Sequence, residues 1–197
     1  MVVMQNLINA IEEIKEKFPD THLNVIEFGT IRTFEMNPSG QSTACISRAL
    51  GKHGNFTSVD IDGVHIKISK EVCCNASNTI WIQSDSIAFL KKLKEERFHF
   101  AFLDTINDKD FVFKEFCLII PKMLVDSILM IDDAGIVEGG ERIDTNDAAQ
   151  KGHEVWRFLK SCGANFSVIP WPNLSGTQIK IVLDKKNLEL IKLGVRK

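Results

Sequence analysis

The run Leu23-Asn24-Val25-Ile26-Glu27-Phe28-Gly29 decides the fold. Leu23 to Phe28 is mostly apolar and strand-length, and Gly29 closes it at once. A short apolar run bounded by a turn former reads as a buried strand. Outward from it the chain repeats one pattern. Upstream, Leu7, Ile8, Ile11 and Ile14 share a helical face between about Val3 and Phe18, and Pro19-Asp20 ends that helix. Downstream, Thr30 to Gly40 reads as a loop, and Ser42 or Thr43 is expected to cap a helix from Ala44 to Leu50. Phe56–Ile61, Thr79–Ser84, Phe98–Asp104 and Ser127–Asp133 are further strands. The helices between them run near His65–Cys73, over Ser86–Lys94 and over Phe111–Ile120, the last stopped by Pro121.

After Asp133 a polar, Gly-rich segment runs to about Asp147, and a helix follows over Ala148–Lys160. Asn165–Trp171 and Thr177–Leu183, separated by Pro172 to Gly176, read as an antiparallel hairpin. Residues 184–197 are expected to form a short helix and a tail. Alternating strands and helices imply one α/β domain over residues 1–197, with a mostly parallel sheet covered on both faces. The carboxyl ends of its parallel strands share one edge, where ligands of such sheets bind.

Composition narrows the partners. A hydrophobic content of 44% supports a full core, and a formal net charge of -2 without a Lys/Arg block argues against nucleic acid. No apolar run is long enough to span a bilayer, and the N-terminal stretch reads as a helix, not a leader. Cys45, Cys73, Cys74, Cys117 and Cys162 have neither zinc nor redox spacing, so reduced thiols and a cytoplasmic location are expected.

The acids fall at the strand ends. Glu27 ends the first strand, Asp60 the second, Asp104 the fourth and Asp132-Asp133 the fifth, while Asp85 follows the third. One terminal Asp is an ordinary helix cap, but a full row defines an acidic edge. No GxGxxG or GxxxxGK[ST] accompanies it, so neither a dinucleotide pyrophosphate nor a triphosphate loop is provided for. Asp60 stands where doubly wound folds bind ribose hydroxyls, and Gly29 permits close approach to the backbone. A nucleoside with a cationic substituent and no phosphate fits these signs.

The ordered set Ile26–Thr30 (IEFGT), Ser58–Asp62 (SVDID), Gln83–Ser86 (QSDS), FLDT and MIDDA resembles class I S-adenosylmethionine-dependent methyltransferases. Among these it looks most like the metal-dependent O-methyltransferases of the catechol, caffeoyl-CoA and antibiotic-sugar types. The resemblance spans roughly Leu23 to Leu183 and implies a Rossmann-like, doubly wound, seven-stranded sheet with a reversed last strand. It further implies that Glu27, Gly29, Thr30, Asp60, Asp85, Ser86 and Asp104 line the S-adenosylmethionine site. Asp104, Asp132 and Asp133 would hold Mg²⁺ or another divalent cation. Such a cation would lower the pKa of an acceptor hydroxyl and aim it at the methyl group. The acceptor would be a small molecule.

Two features depart from that pattern. Asn107 stands where the subgroup has an acid or lysine able to act as base, and Asn cannot take a proton at neutral pH. The loop after Gly29 is long, and Arg32, Glu35 and Gln41 could contact the methionine end or the acceptor. His153 is the candidate general base beside Asp104, with a solvated helix residue as its bland alternative. His99 reads as a core residue, as does Trp81, while Trp156 and Trp171 are packing residues or stacking platforms for an acceptor. Ala134 to Asp147 reads as a substrate lid or a surface loop. The rival functions are a nicotinamide-dependent reductase, disfavoured by the missing glycine loop and the absence of Tyr, and a cofactor-binding module without catalysis. A phospho-acceptor domain would carry its acid pair on an early strand. A homodimer is left open as the assembly.

Overall fold

The computed structural model describes residues 5–33, 41–73, 77–95, 97–135, 150–170 and 176–196. A seven-stranded sheet runs in the order β3-β2-β1-β4-β5-β7-β6. Its parallel strands are β1 (Leu23–Phe28), β2 (Gly54–Asp60), β3 (Thr79–Gln83), β4 (Phe98–Leu103) and β5 (Met123–Ile131). Strands β6 (Ser167–Pro170) and β7 (Thr177–Leu183) complete it, and β7 alone is reversed, antiparallel to β5 on one side and to β6 on the other. This is the Rossmann-like architecture with a reversed last strand that the sequence led us to expect.

Side chains alternate across each strand and so build two cores. Val25, Phe56, Phe100, Phe102, Ile128 and Met130 pack with α1 (Gln5–Lys17) and α2 (Ser42–Leu50). On the opposite face, Ile26, Phe28, Val59, Ala101, Leu103, Leu129 and Ile131 meet the second group of helices. That group is α4 (Ser86–Lys92), α5 (Lys109–Ile119), α6 (His153–Cys162) and α7 (Lys185–Val195). The remaining helix, α3 (Gly63–Val72), packs on β2, β3 and α2. Covering on both faces explains why β1 and β4 read as mostly apolar runs.

The chain runs from β1 outward to β3, then returns across the sheet to β4 beside β1. That reversal is the switch point at which a crevice opens over the strand ends. The backbone ladder continues one residue past the strands there. Gly29 donates to Val59 at 2.9 Å, Asp104 to Phe28 at 2.9 Å, Asp132 to Leu103 at 3.0 Å and Ser84 to Asp60 at 2.9 Å. The acids therefore reach one edge in register.

Several boundaries differ from expectation for identifiable reasons. Helix α2 begins at Ser42 behind Gln41, and no side chain caps it. Ser42 and Thr43 are buried instead, facing Glu27 across the sheet edge. Strand β5 starts at Met123, four residues before the expected Ser127. Asp126 adopts φ 66 within it, and the pairing with β4 shifts register between Phe98 and Phe100. That irregularity exposes Val125 and breaks the apolar pattern by which strands are read. Trp81 lies half-buried on edge strand β3 and not in the core. Glu35, Cys74, Trp171, the lid residues 136–147 and Ala148 lie outside the described residues.

Candidate functional site

A pocket of about 330 Å³ opens over the carboxyl ends of β1, β2 and β4. Its lining is largely apolar, with Ile61, Ile106 and Phe111 as walls, and Asp60, Asp85 and Ser86 supply polar groups. Ile61 and Ile106 are 69% and 53% exposed, unusual for isoleucines that no protein segment covers. An apolar slot with few convergent polar groups is the common form of a small-ligand site.

Asp60, at the end of β2, is buried, and its four acceptor positions are all engaged. Thr30 donates its backbone N–H to Oδ2 at 3.0 Å and its hydroxyl at 3.3 Å. Asp62 donates its N–H to Oδ1 at 2.8 Å, and His65 Nδ1 lies 3.4 Å from the same oxygen. The two backbone bonds fix the carboxylate in place. The two longer side-chain contacts are the ones a ligand diol could replace. Thr30 therefore positions Asp60, and His65, which the sequence did not single out, lines the pocket beside it. Asp62 caps α3 through a 2.7 Å bond from Val64, which turns His65 back toward Asp60.

Asp85 caps α4, accepting from Ala88 at 2.7 Å, and also lines the pocket. Ser86 lies beneath it beside Glu115 of α5, whose carboxyl accepts from Thr105 Oγ1 at 2.8 Å. Burial lifts the Glu115 carboxyl to a pKa of about 7, against the opposing bonds from Ser86 and Thr105 and the nearby Lys151 charge. No local pattern marks Glu115 in the sequence, because it occupies a helix position that only tertiary packing buries. Arg32 Nη2 bonds the Asp104 carbonyl at 3.4 Å and the Thr105 carbonyl at 3.1 Å, at the β1 end of the pocket.

Two of the expected site residues, Gly29 in the pocket lining and Glu27 behind it, are also tied into the protein's own packing. Gly29, with φ +90, is required by the protein itself, because a Cβ there would lie 2.1 Å from the Asp104 carbonyl oxygen. Close approach of the β4 backbone by itself demands the glycine, which also lines the pocket. Glu27 does not line the pocket. It shares the α2 face of β1 with Val25, is fully buried, and accepts from Ser58 Oγ at 2.8 Å. Burial raises its pKa to about 8, the Thr43, Ser58 and Ser42 hydroxyls oppose the rise, and Asp104 adds to it. Glu27 Oε2 and Thr43 Oγ1 each lack a hydrogen-bond partner of good geometry. A proton on Oε2 supplies the donor that would pair them.

Asp104, Asp132 and Asp133 converge, each presenting a carboxylate oxygen within 4.8 Å of the others. Asp133 reaches the cluster in a left-handed conformation, φ 45. Asp132 is buried and accepts from Gln178 Nε2 on β7 at 2.9 Å. Its carboxyl is pushed well above the usual range by burial and by the neighbouring Asp104 charge. A cation already stands among these acids. The Lys151 ammonium, 1% exposed, bonds Asp104 Oδ1 and lies 3.4 Å from Asp133 Oδ2. Burial opposes the Lys151 charge, but attraction to Asp104, Asp132 and Asp133 outweighs it and raises its pKa. The sequence reading missed this lysine. It lies in a polar stretch, and only the return of the chain over the edge brings it to an acid 47 positions away.

His153 opens α6 two residues later, with its ring stacked on Trp156 at 5.9 Å. It is not among the residues that line the pocket described above. Trp156 packs on the core and lies 5.9 Å from the Lys160 ammonium. His99 is a satisfied core residue. Its Nδ1 accepts from Asn24 N–H at 3.0 Å, and burial lowers its pKa.

Residues 38–134 match the family described as "Methyltransferase domain". Among solved structures, cofactor-bound Rv0187 from MTB superimposes with a TM-score of 0.68 at 16% identity, covering 94% of this chain and 83% of that one. An O-methyltransferase from Bacillus cereus in complex with SAH gives 0.61 at 15% identity, covering 88% and 80%. The CurJ carbon methyltransferase gives 0.62 at 14% identity, covering 91% of this chain and 55% of that one. No curated protein sequence matches the chain. Residues 38–134 are thus similar to a methyltransferase domain, and the fold is the Rossmann-like one of the class I S-adenosylmethionine-dependent methyltransferases. Among the described residues no helix is long and apolar enough to cross a membrane.

Proposed function

We propose that the protein transfers a methyl group from S-adenosylmethionine to a hydroxyl of a small molecule. The observation that carries the reading is the pocket at the β1–β4 switch point, whose apolar walls and Asp60 suit an adenosine and whose floor has no phosphate-binding loop. Ile61, Ile106 and Phe111 would sandwich the base, and Asp85 and Ser86 would lie at its edge. Asp60 would take the ribose diol in exchange for its long contacts to Thr30 Oγ1 and His65. Arg32, at the β1 end, suits the carboxylate of the methionine portion.

When bound, S-adenosylmethionine supplies an electrophilic methyl group on a sulfonium. The protein's part is to orient and to exclude water, and most of the acceleration comes from alignment of nucleophile and methyl. Asp104 and Asp133 are only partly covered, at 22% and 30% side-chain exposure. They are the polar groups placed to accept a hydrogen bond from the acceptor. A divalent cation among them does not fit while the Lys151 ammonium holds the same oxygens, so no step is assigned to one. The alternative, a domain that binds the cofactor without turnover, is favoured by Asn107, which is exposed and offers no base.

Calorimetric titration with S-adenosylmethionine and S-adenosylhomocysteine tests the cofactor assignment. Micromolar binding is expected, weakened about 100-fold in Asp60→Ala, which removes two hydrogen bonds to a charged acceptor. Absence of binding to either nucleoside would refute the reading.

A further inference from the structure

We infer that the Lys151 ammonium is the resident cation of the Asp104–Asp132–Asp133 cluster, so that this site works without a divalent metal. Its role toward an acceptor rests on the methyltransferase reading above, but which cation the cluster holds does not.

The cluster has room for one cation. Its three carboxylate oxygens lie within 4.8 Å of one another. The Lys151 ammonium bonds Asp104 Oδ1 and approaches Asp133 Oδ2 to 3.4 Å. A Mg²⁺ or Ca²⁺ ion at ordinary bonding distance, roughly 2.0–2.6 Å from the same oxygens, would sit against Nζ as a like charge. The two are mutually exclusive. Displacing the lysine is not a matter of swinging away a surface side chain. Lys151 is 1% exposed, and its neighbour Gly152 is fastened to the Asp133 carbonyl through a 3.4 Å backbone bond. A Cβ on Gly152 would come within 2.9 Å of Ala134 Cα, so this stretch is packed directly on the end of β5. The lysine is thus held by the same junction that presents Asp132 and Asp133.

The substitution alters which acceptors suit the site. A metal ion with open coordination positions holds an acceptor by chelation, which favours adjacent oxygens. An ammonium offers N–H donors and no coordination position, and here it directs them to Asp104 and Asp133. Lys151 is accordingly a positioning residue. It fixes the Asp104 and Asp133 carboxylates, whose free oxygens accept a hydrogen bond from one hydroxyl or amine N–H. The acceptor class is a single hydrogen-bond donor, with no requirement for a chelating pair.

The test is Mn²⁺ binding to the chelator-treated full chain, followed by electron paramagnetic resonance of free Mn²⁺, in wild type, Lys151→Met and Lys151→Met/Asp132→Asn. Wild type is expected to bind Mn²⁺ no tighter than millimolar. Lys151→Met should gain one site at least about tenfold tighter, which the double variant loses. Lys151→Arg, keeping the charge, should behave as wild type. Micromolar, stoichiometric Mn²⁺ binding by wild type that Asp132→Asn abolishes would overturn the inference, and so would a folded Lys151→Met that gains nothing. If Lys151→Met does not fold, the wild-type and Asp132→Asn titrations decide alone. S-adenosylmethionine titrated into the same samples reads the cofactor site separately, so loss of the methyltransferase reading would leave the metal result standing.

Discussion

Glu27→Gln should make the protein more stable, and increasingly so as pH rises. The carboxyl is fully buried, with a folded pKa of about 8 against an ordinary 4.5. Between those values the folded chain holds a proton that the unfolded chain releases. Wild-type stability is therefore intact below pH 4.5 and declines as pH rises toward 8. Each pH unit in that window removes about 1.4 kcal/mol, or about 5 kcal/mol in all. Relaxation around an ionised carboxylate would reduce this, so about 3 kcal/mol is expected by pH 8. Glutamine is free of the penalty. It keeps an oxygen for the Ser58 bond of 2.8 Å and gives Thr43 Oγ1 a donor. Urea denaturation of wild type and Glu27→Gln at pH 5 and pH 8 measures the effect. The variant should gain little at pH 5 and about 3 kcal/mol at pH 8. Glu115 also titrates in this range but is common to both proteins, so the difference isolates Glu27. Parallel stability profiles across that range would show that Glu27 is not the buried neutral acid described.

Two further outcomes follow from the pocket and its floor. Gly29→Ala should lose at least about 3 kcal/mol, because its Cβ would meet the Asp104 carbonyl from a left-handed backbone; thermal melting should fall by roughly 6–12 °C, and an unchanged midpoint would contradict the geometry. Ile61→Ala should leave melting within about 0.5 kcal/mol of wild type, since the side chain is already exposed, yet weaken S-adenosylmethionine about tenfold in calorimetry. Equal affinity in the two proteins would remove Ile61 from the base-binding wall.

The strands that matter most were legible because both sheet faces are covered. β1 and β7 begin and end at the expected residues, and β4 differs by one. Burial on two sides leaves a largely apolar run of strand length, bounded by turn formers. Reading failed where tertiary pairing overrides local pattern. Asp126 and exposed Val125 hide the first half of β5, and buried Ser42 and Thr43 look like caps until Glu27 is seen opposite them. The same division holds in the site. Acids at strand ends can be read from a sequence because the strand fixes their place. Asp60, Asp85, Asp104, Asp132 and Asp133 all reach the edge. Lys151, His65 and Glu115 cannot be read this way, since a lysine in a polar stretch or a glutamate on a helix acquires meaning only from what folds against it. Glu27 was legible as an acid at a strand end, while its full burial was not. It belongs to the right strand, but the period-2 alternation that puts Val25 under α2 puts Glu27 there as well.

The junction at the end of β5 has an evolutionary consequence. The chain departs at Asp133 and Ala134 and is fastened again at Lys151 and Gly152, so departure and return are stitched at one point by Gly152 to Asp133 and Ala134 to Thr177. Residues 136–149 lie in sequence between these two fixed points. Closing a longer span between fixed ends adds only about 0.6 kcal/mol per doubling. Insertions or deletions there should therefore leave the sheet edge and its junction intact. A lineage with this junction could vary the length and composition of that stretch without refolding the rest of the molecule.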